Sequence, residues 1–334
     1  MPVSPDLARS LMGVLDEPAL IIEGSRTLAA NDAALALLGQ RIEGADVRLA
    51  IRHPEALRTI LAQDVADLEL VGIGSPDRPW LLTVRPIELG RTLVRLVDQS
   101  AGRAAERMRV DFVANASHEL RTPLATIAGY AETLAEEGEV DEATRRRFGE
   151  IIHGEARRML RIVEDLMSLS RIEAERFLAP RELIDLAEIA RLAVDQVRPG
   201  RARQSCSIDL QIEPGLPPVV GDFPQLLQVV DNLVSNALRY GCTRADSSVT
   251  VEVRGDAGRA LIAVRDTGEG IHPEHLPRLT ERFYRVDAAR SRDAGGTGLG
   301  LAIVKHIVER HRGTLDIRSV VGRGTSVEVR LPLS

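Results

Sequence analysis

Between residues ~8 and 98, short apolar runs alternate with turn signals. Ala19-Leu-Ile-Ile22 precedes Gly24-Ser25, and Leu68-Glu-Leu-Val-Gly-Ile73 precedes Gly74-Ser-Pro76; Trp80–Val84 and Thr92–Val97 follow. Helical patterns such as Asn31–Leu38 lie between them, so this segment predicts a small α+β domain. From about Asp98 to Phe177 the period changes. Val113, Ala116, Leu120, Leu124, Ile127, Ala131 and Leu134 recur at three- and four-residue steps, which draws a single apolar stripe along a helix. A second stripe carries Phe148, Ile152, Ala156, Val163 and Leu166, with Glu137-Gly-Glu-Val-Asp141 as the turn between the two. Gly149 and Gly154 weaken that helix by about 1 kcal/mol each. Two helices cannot hide two such stripes by themselves, and pairing with a second copy into a four-helix bundle is the economical solution.

Residues ~180–334 return to mixed character. Strands are predicted at Ser207–Ile212, Val249–Val253, Ala260–Val264, Thr314–Ile317 and Ser326–Leu331, with helices at Ala187–Val197, Phe223–Tyr240 and Leu299–His311. The chain thus divides into 8–98, 99–177 and 180–334, a multidomain arrangement for 334 residues.

Composition narrows the class. No window approaches about 18 uninterrupted apolar residues, so no membrane insertion is expected, and the start Met1-Pro-Val-Ser-Pro-Asp6 lacks the order of a signal peptide. A cytoplasmic location follows as the expectation. The net charge is −6 with acids and bases interspersed, which argues against nucleic acid as a partner. Cys206 and Cys242 have no metal-ligand or redox spacing, and are expected to be small packing or surface residues rather than a disulfide.

The candidate chemistry lies in three places. His118 falls about 160° from the apolar stripe and therefore faces solvent, with Thr122 one turn later on nearly the same side. An exposed imidazole can act as a nucleophile near neutral pH. Pro123 should remove a backbone bond and bend the helix beside it. A lone helical histidine is usually only a surface residue, and His53, His153, His272, His275, His306 and His311 are read that way. In the predicted helix opening at Asp222-Phe-Pro-Gln225, Asn232 and Asn236 share a face near Arg239; two amides beside a cation suit phosphate oxygens and hydrated Mg²⁺. Asp266-Thr-Gly-Glu-Gly270 follows a strand, and Gly295-Gly-Thr-Gly-Leu-Gly300 opens a helix whose free amides can bind phosphate.

Each motif alone is weak, but their order is specific. Phe112-Val-Ala-Asn-Ala-Ser-His-Glu-Leu-Arg-Thr-Pro-Leu124 and the stretches above resemble the bacterial two-component sensor histidine kinases over residues ~105–334. The resemblance implies a helical hairpin forming a dimeric four-helix bundle, and an α/β sandwich ATP-binding domain of the fold shared with type II topoisomerases and Hsp90. It implies that His118 accepts phosphate from ATP, that Glu119 assists proton removal, and that Thr122 places water for dephosphorylating a response regulator. Asp231-Asn-Leu-Val-Ser-Asn-Ala-Leu-Arg-Tyr240 is similar to the family's N-box, in which Asn232 belongs to the nucleotide site, Asn236 would bind Mg²⁺, Arg239 would approach the phosphates and Tyr240 would lie against adenine. Asp266, Gly268 and Gly270 would hold the base, and Gly296, Thr297, Gly298, Leu299 and Gly300 the phosphates. Glu281-Arg-Phe-Tyr-Arg285 resembles the F-box, with Arg285 at the nucleotide and Val286–Ala294 as a lid; Leu279-Thr280 stands where the family often has a second aromatic. Gly322-Arg-Gly-Thr-Ser326 reads as a turn similar to the family's terminal glycine motif.

The first segment resembles a PAS-like sensor through Asp16–Ile22 and Ala30-Asn-Asp-Ala33, and Arg52-His-Pro-Glu-Ala56 gives a faint likeness to phosphate-responsive sensors. The partners implied are a second copy and a response regulator. Two alternatives stand beside the kinase. A hydrolytic ATPase of this fold places a glutamate four residues before the magnesium-binding asparagine, where this chain has Asn232, and an amide cannot act as that base. A nucleotide-binding scaffold would have lost one of His118, Asn236, Asp266 or the glycines, and all are intact.

Overall fold

The computed structural model describes residues 12–87, 90–136, 140–175, 178–197, 206–242, 246–287 and 296–334. The chain forms two compact units that divide at Val113/Ala114, inside a helix.

In the first unit, β1 (Ala19–Glu23), β2 (Arg26–Ala30), β3 (Ala66–Val71), β4 (Pro79–Ile87) and β5 (Arg91–Asp98) make an antiparallel sheet ordered β2-β1-β5-β4-β3. Helices α1 (Asp32–Leu38), α2 (Val47–Ala50) and α3 (Pro54–Ala62) connect its two halves. This is an α+β sheet domain consistent with a PAS-like sensor. Alternation along β5 sends Thr92, Val94 and Leu96 inward and leaves residues between them half-buried. Asn31 ties the opening together. Its Oδ1 accepts from Ala19 N at 2.9 Å and Ala34 N at 3.0 Å, while Nδ2 donates to the carbonyls of Leu15 and Glu17. A buried amide with both ends satisfied fixes one geometry, which gives the Ala30-Asn-Asp-Ala33 pattern a physical reason.

Helix α4 (Ser100–Ala135) continues through Pro123 as one helix, and α5 (Glu142–Ala174) returns alongside it. Asp141 caps α5 by accepting from Thr144 N and Thr144 Oγ1, which holds its carboxyl below the usual carboxylate range. The rings of Tyr130 and Phe148 meet at 4.8 Å and pin the hairpin near its turn. Much of both stripes stays uncovered: Val113, Leu124 and Val163 are exposed in this single chain.

The α/β domain of the second unit holds a sheet ordered β11-β12-β10-β9-β7, built from β7 (Ser207–Ile212), β9 (Ser248–Asp256), β10 (Arg259–Asp266), β11 (Thr314–Val320) and β12 (Gly324–Pro332). Only the β7–β9 pairing in it is parallel. Helices α6 (Leu186–Val197), α7 (Phe223–Asn236) and α8 (Gly300–Arg310) cover one face, and β6 (Glu182–Ile184) pairs with β8 (Val219–Gly221). Ile189, Leu226, Val230, Ile262, Ile303 and Ile307 are fully buried between these layers, each side chain contributing roughly 1.5–3 kcal/mol.

Two expectations need correction. Cys206 and Cys242 form a disulfide with Cα atoms 5.7 Å apart, joining the start of β7 to the turn after Tyr240. Chain folding, not spacing, brings them together, so sequence carried no sign of the pair. The predicted helix Phe223–Tyr240 ends its α-turns at Asn236, and Ala237–Gly241 widens into a π turn.

Candidate functional site

The site is assembled from α4, α5, α7, the loop after β10 and the start of α8. His118 lies on the exposed side of α4. Thr122 Oγ1 donates to the His118 carbonyl at 3.3 Å, so its hydroxyl is committed to the helix backbone. Glu119 turns away from the imidazole. Its Oε2 accepts from Arg158 of α5 at 2.8 Å and lies 3.4 Å from Arg285 Nη1. Those two arginine side chains are only 6% and 8% exposed, so this is a largely buried ion triad rather than a surface pair.

Further polar contacts hold α5 against the α/β domain. Thr297 Oγ1 donates to Asp165 Oδ2 at 2.6 Å, and Ser168 Oγ bonds Gln228 Oε1 at 2.7 Å. Arg282 pairs with Glu173, and Arg310 with both Glu175 and Asp222. Burial pushes the Asp165 carboxyl above its ordinary value, and the Thr297 hydroxyl pulls it back.

Asp222 caps α7 by accepting from Gln225 N, and its own N–H donates to His311 Nε2 at 3.0 Å. The other ring nitrogen meets the Ile307 carbonyl at 2.7 Å, which requires Nδ1–H and a neutral ring. Burial accordingly lowers the affinity of His311 for a proton. This histidine, read as unremarkable in the sequence, joins the start of α7 to the end of α8.

With Leu226, Val229, Val230, Leu233 and Val234 buried, the opposite face of α7 carries Asn232 and Asn236 toward the loops. Asn232 Nδ2 is buried without a hydrogen-bond partner among the described residues, and its Oδ1 lies 3.2 Å from where a Cβ on Gly300 would stand. The π turn then presents Arg239, with no ion pair to a described residue, and a partly exposed Tyr240.

Asp266 Oδ1 accepts from Gly268 N at 2.9 Å and from Thr325 N at 3.2 Å, while Oδ2 has no hydrogen bond to a described residue. Burial raises this carboxyl above its ordinary value, and those two N–H groups offset the rise. The fit around it is close. A Cβ on Gly241 would lie 2.3 Å from the Asp266 Cβ, and one on Gly324 (φ +111°) would lie 1.9 Å from the Asp266 carbonyl oxygen. Neither position admits a side chain. Gly268 packs on Gly241, and Gly270 packs against Val320.

Ahead of α8, Gly296, Thr297 and Leu299 are buried, and Leu299 N donates to Thr297 Oγ1. The Gly298 carbonyl accepts from Phe283 N at 2.9 Å, joining the Glu281–Arg285 segment to the glycine loop. Gly295 and residues 288–294 of the expected lid lie outside the described residues.

The structure forms one cradle along α7, its π turn and the loops beside them: Asn232 lies beside Gly300, Asp266 beside Gly241 and Gly268, and Asn236 and Arg239 follow Asn232 in the chain, while it sets Arg285 at Glu119. It does not bring Glu119 onto His118. Sequence reasoning missed Asp165, which sits among apolar helix positions, and Gly324 with Thr325, which looked like an ordinary turn. The signal for the last pair was present in Gly322-Arg-Gly-Thr.

An unpaired buried amide, a carboxylate with one free oxygen, an unpaired guanidinium and a helix opening on glycines fit an adenine nucleotide. The fold and site therefore define an ATP-binding domain of the histidine kinase type coupled to a phosphoacceptor hairpin. Family models agree: "His Kinase A (phospho-acceptor) domain" matches residues 108–175, and "Histidine kinase-, DNA gyrase B-, and HSP90-like ATPase" matches residues 221–334. The phosphate regulon sensor protein PhoR of Pseudomonas aeruginosa is 37% identical over 302 residues, covering 89% of this chain and 67% of that protein. The sensor-like histidine kinase SenX3 of Mycolicibacterium smegmatis is 38% identical over 277 residues, covering 81% of this chain and 71% of the relative. The solved structure of Acinetobacter baumannii histidine kinase AdeS, at 22% identity and a TM-score of 0.50 over 65% of this chain and 98% of that one, shares the fold. The chain belongs to the sensor histidine kinases, enzymes that take a phosphoryl group from ATP onto a histidine and pass it to an aspartate of a response regulator. Its relatives include a phosphate-regulon sensor, and no described helix is long and apolar enough to cross a membrane.

Proposed function

We propose that His118 is the phosphoacceptor, and that the functional division is a sensor at 8–98, a phosphotransfer hairpin at 99–177 and a catalytic domain at 180–334. The observation that carries the reading is a solvent-facing imidazole on a hairpin whose second helix lies directly against the nucleotide cradle through Asp165–Thr297. A nitrogen of His118 attacks the γ-phosphorus of ATP. An N–P bond forms, the bond to the β-phosphate bridging oxygen breaks, and its electron pair leaves with ADP. Glu119 receives the proton from the other ring nitrogen after releasing Arg158 and Arg285. Asn236, with Asn232 beside it, would hold Mg²⁺, which neutralises charge on the triphosphate. Arg239 and the amides of Gly296–Gly300 orient the phosphates; the free oxygen of Asp266 takes the adenine amino group, with Tyr240 against the ring.

A response-regulator aspartate then displaces His118 from phosphorus, and Thr122 supports the opposing phosphatase reaction by positioning water to attack the aspartyl phosphate, whose phosphoryl group leaves as inorganic phosphate. The uncovered apolar stripes of α4 and α5 support a homodimer. ATP and receiver domains are cytoplasmic, so these domains act there. Incubating the chain with γ-labelled ATP should give acid-labile, base-stable label, and His118→Gln should abolish it while nucleotide binding persists. Label retained by that variant would overturn the assignment.

A further inference from the structure

Cys206 and Cys242 are the chain's two cysteines, and the residues of their bridge are half-buried, within reach of a small thiolate. The mechanism uses neither of them. Each end of the bridge leads directly to the base side of the cradle. Cys242 follows Gly241, whose backbone lies so near the Asp266 loop that a Cβ on Gly268 would stand 2.6 Å from the Gly241 Cα. Cys206 precedes β7, where Ser207 N donates to the Ser247 carbonyl at 3.3 Å; Ser248 N in turn donates at 2.9 Å to Oγ1 of Thr267, the residue after Asp266. The bridge therefore ties the π turn on one side of Asp266 to the strand pair on the other. Packing alone holds this side thinly: β7 is the edge strand of its sheet, pairs with β9, and has no fully buried residue.

From this placement we infer that Cys206–Cys242 is a thiol–disulfide exchange site, through which a cellular dithiol sets the affinity of the cradle for nucleotide. The inference rests on the proposed cradle and its cytoplasmic setting, and adds a control that neither contains. A bridge open to small thiols in a reducing cytosol is an exchanging group, not a permanent staple. One thiolate of the dithiol attacks a bridge sulfur. The Sγ–Sγ bond breaks, a mixed disulfide forms, and the other cysteine leaves as a thiolate and takes a proton. The second thiolate of the dithiol then attacks its own mixed-disulfide sulfur and releases the remaining cysteine. Two electrons have passed to the bridge, leaving two protein thiols and the reagent as a disulfide; oxidation is the same exchange run backward from a small disulfide. With the bridge closed, Gly241 stays packed on Asp266 and adenine meets a preformed site. With it open, the π turn samples other positions, and the apparent affinity falls with the fraction still in place.

The test is calorimetry of Mg·ATP and AMP on the full chain carrying His118→Gln, which prevents turnover. The chain is measured oxidised, after reduction with dithiothreitol, and after reoxidation with oxidised glutathione, with alkylated thiols counted by mass at each stage. Reduction should weaken both nucleotides about tenfold, by one factor because the change acts at the base and not at the phosphates, and reoxidation should restore them. Cys206→Ser combined with Cys242→Ser should show the reduced-form affinity and ignore dithiothreitol. A bridge that resists dithiothreitol in the folded chain, equal affinities in the two forms, or AMP unchanged while ATP weakens would each overturn the exchange site and leave the cradle standing. A loss that reoxidation does not restore would assign the bridge to folding alone and overturn it as well. Failure of the oxidised parent chain to bind ATP would overturn the cradle and the exchange site together.

Discussion

The nucleotide cradle and the surroundings of His118 are built on opposite plans. Around Asp266 the packing is so close that Gly241, against the Asp266 side chain, and Gly324, against the Asp266 backbone, cannot carry a side chain. Around His118, the helix surface is open. Gly129, Gly149 and Gly154 on the same hairpin have nothing within 4 Å of an added Cβ, and what is fixed there is fixed by long side chains reaching from elsewhere. A pocket that receives one rigid ligand profits from preformed shape, whereas a histidine that must meet a catalytic domain and then a separate regulator needs clearance.

The largest expected effect comes from the one place where the open side is buried. Arg158→Met leaves Glu119 without its shorter partner in a triad of low exposure, and should destabilise by about 3–5 kcal/mol in urea denaturation. Combining it with Glu119→Gln should restore part of that loss; additive losses would show that the triad is not coupled. Next comes the cradle. Gly241→Ala drives a methyl into Asp266 and should cost about 1–3 kcal/mol together with most of the ATP affinity, read by calorimetry.

Smaller is the pH response of His311. Its folded proton affinity is lowered by burial, with Arg310 opposing protonation and Asp222 favouring it. The unfolded imidazole takes up its proton near pH 6.5. Stability is therefore full above that value and falls as the pH drops toward the lower folded value, by about 1 kcal/mol per pH unit. Half-buried His306 acts with the same sign. His311→Gln should flatten the loss measured between pH 7 and 5.5, and an unchanged slope would assign it to other groups. The mildest change is Gly129→Ala on the open helix, which should stabilise by about 0.5–1 kcal/mol and leave ATP affinity unaltered.

The same contrast explains what was legible in the chain. Periodicity announced the long helices and the main strands, because each buries one face over many residues. It passed over β6 and β8, at three residues each too short to show alternation. It also read Ala237–Gly241 as ordinary helix, because the wider turn answers the close approach of Gly241 to Asp266, far along the chain. The solvent-facing side of His118 followed from helical angles alone. The partners of Glu119 did not: Arg158 is 39 residues away and Arg285 is 166 away, and no local pattern encodes such meetings.

One carboxylate shared by two guanidiniums has a kinetic corollary. So long as Arg158 and Arg285 both hold Glu119, the side chain next to the proposed phosphoacceptor is occupied, and if Glu119 takes the proton as proposed, ATP binding in the cradle does not by itself free it. The observed rate of label uptake should then level off at the frequency with which that grip loosens, a unimolecular ceiling belonging to the protein itself.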